Sequence, residues 1–507
     1  MDLGKQSKLS LVLHLMSKKA VVIGAGIGGM ASAIRLAHLG FETSVYESNA
    51  EPGGKVNSKH FGSYRFDMGP SVFTEPHLVD ELLSINGVSS CDFEYQKLSI
   101  SCNYFFEDGT KVALPHGPER VADVLHKDLG EDKNKVLRFL NRLRRNYEAV
   151  YPVFISASLH RFTQWMNVGI FRAISRIPKY GLLRSMDAVN RAQFKNPKTA
   201  QIFNRFATYN GSNPYEAPGM LNIIAHLELN IGPYIPKGGM VSISNHLFEQ
   251  AKSMGVKFYF KQAVNEILHN NKRIEGVRIA NQKIDADVVI SNMDVHNTYK
   301  KLLNGFDGPQ KILSQEKSSS AIVFYWGIKK KFPGLDVHNI FFSNEYENEF
   351  QKMFKEHDLS DDPTIYIHIS SKIEKQDAPE YGENWFVMVN APINKGQDWE
   401  IMRKQLRQNI LLKLSRILKE DIESLIEIEE YTDPSRLEQM YTGMHGSIYG
   451  NSSNSKMSAF YRHPNFSNQL KGLYFSGVTV HPGGGIPLAI NSAKIIEKCL
   501  KRDFNLV

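Results

Sequence analysis

A glycine-rich motif near the start of the chain restricts its fold more than any other feature. Residues 20–29, AVVIGAGIGG, join a short apolar run to the spacing G-x-G-x-x-G at Gly24, Gly26 and Gly29. The apolar run is typical of a buried parallel strand, and the glycines permit a tight turn into a helix whose N-terminus faces phosphate. The pattern that follows predicts a helix over 30–39 and a strand over 41–47. The motif therefore predicts a βαβ unit that opens an α/β sheet.

An acidic residue and two further glycine loops extend this prediction to a large dinucleotide. Glu47 ends the second predicted strand, about 20 residues after the glycines, which suits a ribose 2′-hydroxyl; a glutamate with no ligand is the alternative. The segments EPGGKVNS (51–58) and DMGPS (67–71) follow as loops. An NAD site rarely needs so much wrapping, so the pattern favours an embedded FAD.

A second glycine-rich loop lies near the end of the chain, within YFSGVTVHPGGGIPLAINSAK (474–494). A predicted strand leads into it and a predicted helix over 489–501 leads away from it. We expect this loop to form the other wall of the same cofactor site, brought back by the last strand and helix.

These motifs together resemble those of the phytoene-desaturase-type carotenoid oxidoreductases, which belong to the flavin monoamine oxidase-like group. The likeness runs from Met16 to the end and includes YNGSNPYEAPGML (209–221), PKGGM (236–240) and ADVVISNMD (286–294). The opening motif is shared across the wider group, whereas GVTVHPGGGIP (477–487) is more particular to carotenoid enzymes. The resemblance implies a bacterial FAD-dependent desaturase of carotenoid biosynthesis, and an α/β fold with a Rossmann-like FAD-binding domain.

The resemblance also implies the roles of individual residues. The glycine motif would hold the pyrophosphate, Glu47 the ribose, and Val264 the adenine through its main chain. The remaining contacts would lie toward the flavin, where Lys55 replaces the arginine that relatives often carry and so loses a bidentate fork. The cofactor-binding set is Gly24, Ala25, Gly26, Gly28, Gly29, Glu47, Gly53, Gly54, Lys55, Gly69, Pro70, Ser71, Val264, Gly477, Gly484, Gly485 and Ile486.

The candidate catalytic base is a histidine, and a structural role is the alternative for each one. His226, His296 and His481 are the candidates, and His481 is preferred because it lies inside the closing glycine loop. Asp294 follows a predicted strand and is expected to hold a chain turn. Three cysteines make no metal spacing and no disulfide framework, so no metal is predicted and a reducing compartment is expected.

The substrate is inferred from the resemblance alone. Residues 318–328, 338–343 and 366–372 look most like the hydroxycarotenoid 3,4-desaturases, which implies 3,4-desaturation of a C40 carotenoid that carries a 1-hydroxyl group and is in some cases monocyclic. A phytoene- or diapophytoene-type desaturase or an isomerase is the alternative on the same frame. A flavin amine oxidase and a prenyl-binding escort without enzyme activity are the alternatives of another class.

Composition divides the chain into three regions and an extension. We expect an FAD-binding domain from 16–75, 235–300 and 465–507, and a β-rich substrate domain from 76–117 and 301–464. Residues 118–234 are expected to be a helical, basic region that is a candidate for membrane contact, and residues 1–15 an upstream extension. Within 156–206 nine Lys and Arg accompany one acid among apolar residues. This mixture favours peripheral contact with the cytoplasmic side of the cell membrane, with a solvated helix face as the alternative. No nucleic-acid partner is expected, and the oligomeric state is left open.

Overall fold

The computed structural model describes residues 18–85, 87, 93–158, 160–161, 168–455 and 461–506. The upstream extension predicted for residues 1–15 lies outside these ranges. The described part is an α/β protein with a parallel sheet, a large mixed sheet and a helical region, as the sequence predicts.

A five-stranded parallel sheet is built from the first, middle and last parts of the chain. Its strands, in spatial order, are Leu473–Phe475, Val288–Ser291, Lys19–Ile23, Glu42–Tyr46 and Lys257–Tyr259. All three expected FAD-domain segments contribute to it, while the exact domain boundaries stay a prediction.

Both faces of the parallel sheet are covered, which explains the uninterrupted apolar run of its central strand. Ala20 and Val22 join a core with the helices Ile27–His38, Val241–Ser253 and Ile486–Asp503. Val21 and Ile23 point the other way, because side chains alternate along a strand. They meet a three-stranded antiparallel sheet formed by Glu266–Asn270, Arg273–Ile279 and Gln282–Asp285.

The second domain is a seven-stranded mixed sheet. Its strands, in spatial order, are Ile426–Thr432, Ser320–Ile328, Glu383–Ala391, Ile365–His368, His338–Phe341, Ile100–Phe105 and Lys111–Pro115. Trp326 and Trp385 are paired in register and fully buried. They pack in one core with helix Trp399–Leu418, which contributes Leu406, Ile410 and Leu414. The other β elements are the two-stranded pairs Ser58–Phe61 with Tyr64–Asp67 and Tyr95–Lys97 with Tyr234–Pro236.

The part of the chain that follows strand Lys111–Pro115 is mainly helical. Its α-helices are Pro118–Leu129, Lys133–Val150, Val168–Ser175, Ile177–Tyr180, Met186–Gln193 and Pro197–Asn204. Further α-helices elsewhere are His77–Leu83, Val295–Asn297, Gln310–Leu313, Tyr346–Gln351, Ile422–Leu425 and Pro434–Tyr441. Across the described ranges, no helix combines the length and the hydropathy needed to cross a lipid bilayer.

Two predicted helix starts are wrong by three residues, and both errors concern glycine loops. The first helix begins at Ile27 rather than residue 30, and the last begins at Ile486 rather than residue 489. The reason is that a first helical turn tolerates glycine and proline, since its N–H groups have no intrahelical partner. Gly28 and Gly29 are consequently helical residues, and Gly485 directly precedes the final helix.

Candidate active site

One cavity of about 820 Å³ brings the two glycine-rich loops together. The first loop reaches it from the parallel sheet, and the closing loop reaches it from the start of the last helix. The predicted cofactor residues that line this cavity are Gly24, Gly26, Gly28, Glu47, Gly53, Gly54, Lys55, Gly69, Pro70, Ser71, Val264, Gly477, Gly484, Gly485 and Ile486. Ala25 and Gly29 lie directly behind this wall, and His481 does not line it.

The glycines of the first loop leave no room for side chains. A Cβ on Gly29 would lie 2.1 Å from the carbonyl oxygen of Gly24, so only glycine lets the helix pack this closely on the strand turn. A Cβ on Gly26 would lie 2.7 Å from Oδ1 of Asn292. The first loop is thus a bare backbone surface at the N-terminus of helix Ile27–His38, which suits an approaching pyrophosphate.

Glu47 is fixed beside this loop by hydrogen bonds from the main chain. Its Oε2 accepts from the N–H of Ala25 at 2.8 Å, and its Oε1 accepts from the N–H of Asn49 at 2.8 Å. The side chains of Ser48 and Asn49 also donate to Oε1. The carboxylate is therefore held facing the cavity, and Oε2 keeps a lone pair with which to accept a sugar hydroxyl.

Val264 and Lys55 extend the site in two directions. Among the described residues no group bonds the main-chain N–H or C=O of Val264, which lines the cavity just before strand Glu266–Asn270. The Nζ of Lys55 donates to the carbonyl of Ile448 at 2.7 Å. Burial lowers the pKa of Lys55 to about 8, and the carboxylate of Asp294 opposes this shift. A free main-chain edge and a poorly solvated cation both suit an extended anionic cofactor.

Asn292 is a central site residue that the sequence predictions missed. Its Nδ2 donates to the carbonyl of Ser476 at 3.2 Å, and its side chain also lies against Gly26 and Gly28 of the first loop. It follows strand Val288–Ser291 directly. The available signal was that position, since ligands in α/β sheets bind beyond the carboxyl ends of the strands.

The closing loop is held by the final helix. The N–H of Gly477 donates to Oγ of Ser492 at 2.9 Å, one turn and a half into helix Ile486–Asp503. Gly485 has a φ of 107°, a conformation that favours glycine, and no side chain caps the helix start. The free N–H groups of this helix N-terminus lie at the cavity wall, where they favour negative charge.

None of the three candidate histidines lines the cavity. His481 is fully buried, and its Nε2–H donates to the carbonyl of Ala157 at 2.9 Å. Nδ1 of His226 lies 2.8 Å from Nδ2 of Asn230, at hydrogen-bond distance. Burial lowers the pKa of His226 and that of His481 to about 4. His296 lies in a separate surface pocket. A catalytic role for His481 stays a prediction, and its position offers that role no support. Asp294 does hold a turn, because its carboxylate accepts from the N–H of Asn297.

Beyond the glycine loops the cavity is lined mainly by apolar side chains. They come from the helical region and from the large sheet: Val150, Phe154, Ile155, Met220, Leu221, Ile223, Ile224, Leu227, Ala321, Val323, Ile340, Phe386, Met388, Leu437 and Met440. Polar groups also enter this section. Oγ of Ser71 is hydrogen-bonded to the hydroxyl of Tyr366 at 2.7 Å, and that hydroxyl is hydrogen-bonded to Nδ1 of His338 at 2.8 Å.

Two carboxylates in the apolar section already have internal partners. Glu228 is paired with the buried guanidinium of Arg205 and accepts a hydrogen bond from Tyr209. Glu75 accepts a hydrogen bond from the hydroxyl of Tyr147, and burial raises the pKa of Glu75. Glu228 is therefore charge-paired within the protein, and Glu75 is hydrogen-bonded to a neutral hydroxyl.

Comparisons with known proteins agree with this geometry. The family described as "Flavin containing amine oxidoreductase" matches residues 27–495. A 1-hydroxycarotenoid 3,4-desaturase from Flavobacterium sp. (strain P99-3) is 46% identical over 94% of this chain and 98% of its own length. A 4,4'-diapolycopene oxygenase from Methylomonas sp is 31% identical over 96% of this chain and 99% of its own.

Solved structures share the fold at much lower identity. An oxidoreductase from Methanosarcina mazei has a TM-score of 0.64 at 14% identity, and covers 95% of this chain and 100% of its own. Putrescine oxidase bound to putrescine has a TM-score of 0.64 at 12% identity, with coverages of 96% and 99%. At these identities the likeness concerns the fold alone.

The fold and the cavity define a flavin-dependent oxidoreductase, and the chain belongs to the flavin containing amine oxidoreductase family. FAD is its cofactor, which confirms the prediction, and within the family the chain groups with relatives named for carotenoid chemistry. The residues present fit FAD: the glycine loop for the pyrophosphate, Glu47 for the ribose, and the start of the last helix for the flavin end.

Proposed function

We propose that the protein is an FAD-dependent carotenoid desaturase that forms a C=C bond at the 3,4 position of a 1-hydroxylated C40 carotenoid. The observation that carries the proposal is the single cavity, in which the cofactor loops continue directly into an apolar section. The relative that is 46% identical is named for this reaction. A long hydrocarbon needs such a section, because its burial is favourable by about 25 cal/mol per Å² of apolar surface.

The chain's own residues set the conditions for the reaction. A bound flavin supplies the two-electron acceptor for loss of hydrogen from adjacent carbons. The apolar walls exclude water and position one C–C bond against the flavin end of the cavity. Among the described residues no histidine lines the cavity. This fits a polyene substrate, since positive charge left on a conjugated chain is delocalised and its neighbouring C–H becomes acidic enough for a weak base.

Expression in cells that make defined carotenes tests this proposal. Cells that accumulate a 1-hydroxycarotenoid should convert it to a pigment with two fewer hydrogens and a red-shifted spectrum, seen by chromatography with mass detection. Cells that make only phytoene or diapophytoene should show no change. The matched control is a Gly28→Ala chain, whose added methyl group would clash with Gly477 between the two cofactor loops and weaken FAD binding. Conversion of phytoene instead would favour the phytoene-type alternative.

The alternatives of another class have their own readouts. Peroxide formation with amines, and no change in any carotene, would favour a flavin amine oxidase. The ion pair between Glu228 and Arg205 argues against that chemistry, because a cationic amine would have to displace Arg205 to reach this carboxylate. A purified protein without flavin absorbance even after addition of FAD would favour the prenyl-binding escort.

We propose further that the protein is peripheral on the cytoplasmic side of the cell membrane. The support is the basic helical region and a substrate that dissolves in lipid rather than in water. Fractionation of expressing cells should recover the protein with membranes, and high salt or alkaline carbonate should release it without detergent. Recovery entirely in the supernatant at low salt would contradict this localisation.

A further inference from the structure

A second pocket, of about 670 Å³, lies in the helical region and is separate from the cofactor cavity. Helix Lys133–Val150 forms one side, and residues 176–179 and 192–193 form the other. We call it the basic pocket, because its lining has no acid and includes the six cations Lys135, Arg138, Arg142, Arg145, Arg176 and Lys179. Four of them recur on one face of the helix at i, i+3, i+7 and i+10.

The six cations of the basic pocket have no carboxylate in direct contact within the described part of the chain, although Asp132 at the start of the helix attracts Lys135 and Arg138 from farther away. None of the six forms an ion pair within the described ranges, whereas Lys133 and Arg144 of the same helix pair with Asp123 and Glu148. The polar partners in the pocket are neutral: Arg142 donates to Gln193, and Arg176 donates to Oδ1 of Asn146 at 2.8 Å.

An anion bound in the basic pocket would offset two unfavourable terms, the desolvation of Arg142 and the repulsion among the cations. Burial lowers the pKa of the Arg142 guanidinium, since no carboxylate offsets its desolvation. Like charges three and four residues apart on a helix also repel one another. A phosphate oxyanion is the ligand that a cluster of guanidinium forks recognises best.

Exposed apolar side chains occur in the chain segment that contributes Arg176 and Lys179 to the basic pocket. Phe171 is 71% exposed and Leu183 is 81% exposed, and Ile174 and Ile177 are each nearly half exposed. These are four of the nine large exposed hydrophobic residues in the described part of the chain, and all four fall within residues 171–183. Arg176 and Lys179 lie between these apolar residues in the chain, line the basic pocket and bond Asn146 of helix Lys133–Val150, so the exposed apolar side chains belong to the segment that forms one side of the pocket.

We propose that the basic pocket binds the phosphate of an anionic phospholipid headgroup, while Phe171, Ile174, Ile177 and Leu183 enter the acyl boundary of the bilayer. Nucleic acid also offers phosphates, but aliphatic side chains as exposed as Leu183 favour lipid. The proposal deepens the proposed function, because a docked enzyme meets a carotenoid dissolved in the bilayer. It narrows the membrane contact expected for residues 118–234 to helix Lys133–Val150 and residues 171–183.

Vesicle binding by the FAD-loaded protein tests this docking surface. Vesicles of phosphatidylglycerol and phosphatidylcholine should bind the wild type at least tenfold more tightly than vesicles of phosphatidylcholine alone. Binding should weaken as salt rises, since screening acts over about 10 Å at 0.1 M. The variant Arg138→Gln/Arg142→Gln/Arg145→Gln should lose that tenfold preference. The control Lys59→Gln/Lys272→Gln/Lys331→Gln removes equal charge from exposed sites elsewhere and should keep it.

A second variant separates lipid from other sources of phosphate. Phe171→Ser/Leu183→Ser should weaken vesicle binding several-fold and keep the salt dependence. Inorganic phosphate and single-stranded RNA should compete only weakly. Equal binding of phosphatidylcholine alone, an unaffected arginine variant, or RNA binding that equals vesicle binding and ignores the serine variant would each overturn the proposal.

Activity in detergent keeps this proposal distinct from the proposed function. FAD content and Tm check that each variant is folded, and every variant should desaturate micellar carotenoid as the wild type does. A wild type that binds anionic vesicles but desaturates nothing contradicts the proposed function and supports the docking surface. A wild type that desaturates in micelles but ignores anionic vesicles contradicts the docking surface alone.

Discussion

Gly28, in the first glycine loop, lies in contact with Gly477, which is 449 residues later in the chain. A Cβ on Gly28 would lie 2.9 Å from both N and Cα of Gly477, a distance that real Cβ contacts do not reach. The first glycine loop and the closing loop thus meet backbone to backbone, and both line the cofactor cavity. The loop that comes last in sequence is part of the same wall as the loop that comes first.

The substitution Gly28→Ala should therefore weaken FAD binding. Within a helix, alanine is ordinarily favoured over glycine by about 1 kcal/mol, so the substitution alone would stabilise the fold. The clash with the main chain of Gly477 should outweigh this gain and separate the loops. We expect the Kd for FAD to rise at least tenfold, about 1.4 kcal/mol, measured by fluorescence titration of the flavin-free protein.

The control for this substitution is Gly334→Ala. Gly334 has no positive φ, and apart from its chain neighbours the nearest atom to a Cβ there would be Nζ of Lys111, at 4.0 Å. This variant should bind FAD as the wild type does. Normal FAD affinity in Gly28→Ala would show that the two loops move apart without consequence for the cofactor.

Substitution of Asn292 distinguishes two reasons for a glycine at position 26. One is packing against the Asn292 side chain, and the other is close approach of the cofactor. A Cβ on Gly26 would meet only the Asn292 side chain, at 2.7 Å from Oδ1. Gly26→Ala should lower both Tm and FAD affinity. Gly26→Ala/Asn292→Ala should recover the Tm of Asn292→Ala alone, because the clash is gone, but not its FAD affinity, because the added methyl still obstructs the pyrophosphate.

Scanning calorimetry and flavin titration on these chains complete a double-mutant cycle. The single variant Asn292→Ala supplies the baseline, since it also loses the hydrogen bond to Ser476. If the double variant bound FAD as tightly as Asn292→Ala, close approach at Gly26 would be excluded as the reason for this glycine.

Local pattern explains which parts of the site could be predicted from the sequence. Gly24, Gly26 and Glu47 follow from one βαβ unit, in which spacing along the chain fixes position in space. Asn292, Arg205 and Tyr366 line the cavity through contacts between distant segments, and no spacing records those contacts. The strands of the parallel sheet could be anticipated from apolar runs, but their order could not, because it depends on contacts between distant segments. The first turns of both glycine-loop helices could not be anticipated either, since glycine and proline obscure a helix start.

Lys55 should leave a signature in the pH dependence of stability. Its pKa of about 8 in the fold lies below its ordinary value of 10.5. Below pH 8 both states are protonated and the cost of burying the cation is fully present. Between pH 8 and 10.5 only the unfolded state keeps the proton. The free energy of unfolding therefore rises with pH, by at most about 1.4 kcal/mol per pH unit.

Denaturant unfolding of flavin-free wild type and Lys55→Met measures this contribution as a difference. The free energy of unfolding of the wild type, minus that of Lys55→Met, should increase as pH rises from 8 to 10. Lys257→Met is the matched control, because the pKa of Lys257 is raised by its bond to Glu42 and its contribution should not grow over that range. A flat difference for Lys55→Met would show that this lysine is well solvated.

His481→Phe tests whether the histidine of the closing loop is catalytic or structural. The ring of His481 packs edge-on against Phe154 with centroids 4.8 Å apart, and its Nε2–H donates to Ala157 away from the cavity. Loss of that donor should lower the free energy of unfolding by about 1–3 kcal/mol. Turnover per bound FAD should stay within about threefold of the wild type, because phenylalanine preserves the packing that holds the loop.

His481→Gln, which keeps a donor, should recover part of the stability. A fall in turnover of about 100-fold or more at normal FAD content, with loss of one limb of the pH profile, would instead establish His481 as an acid or base.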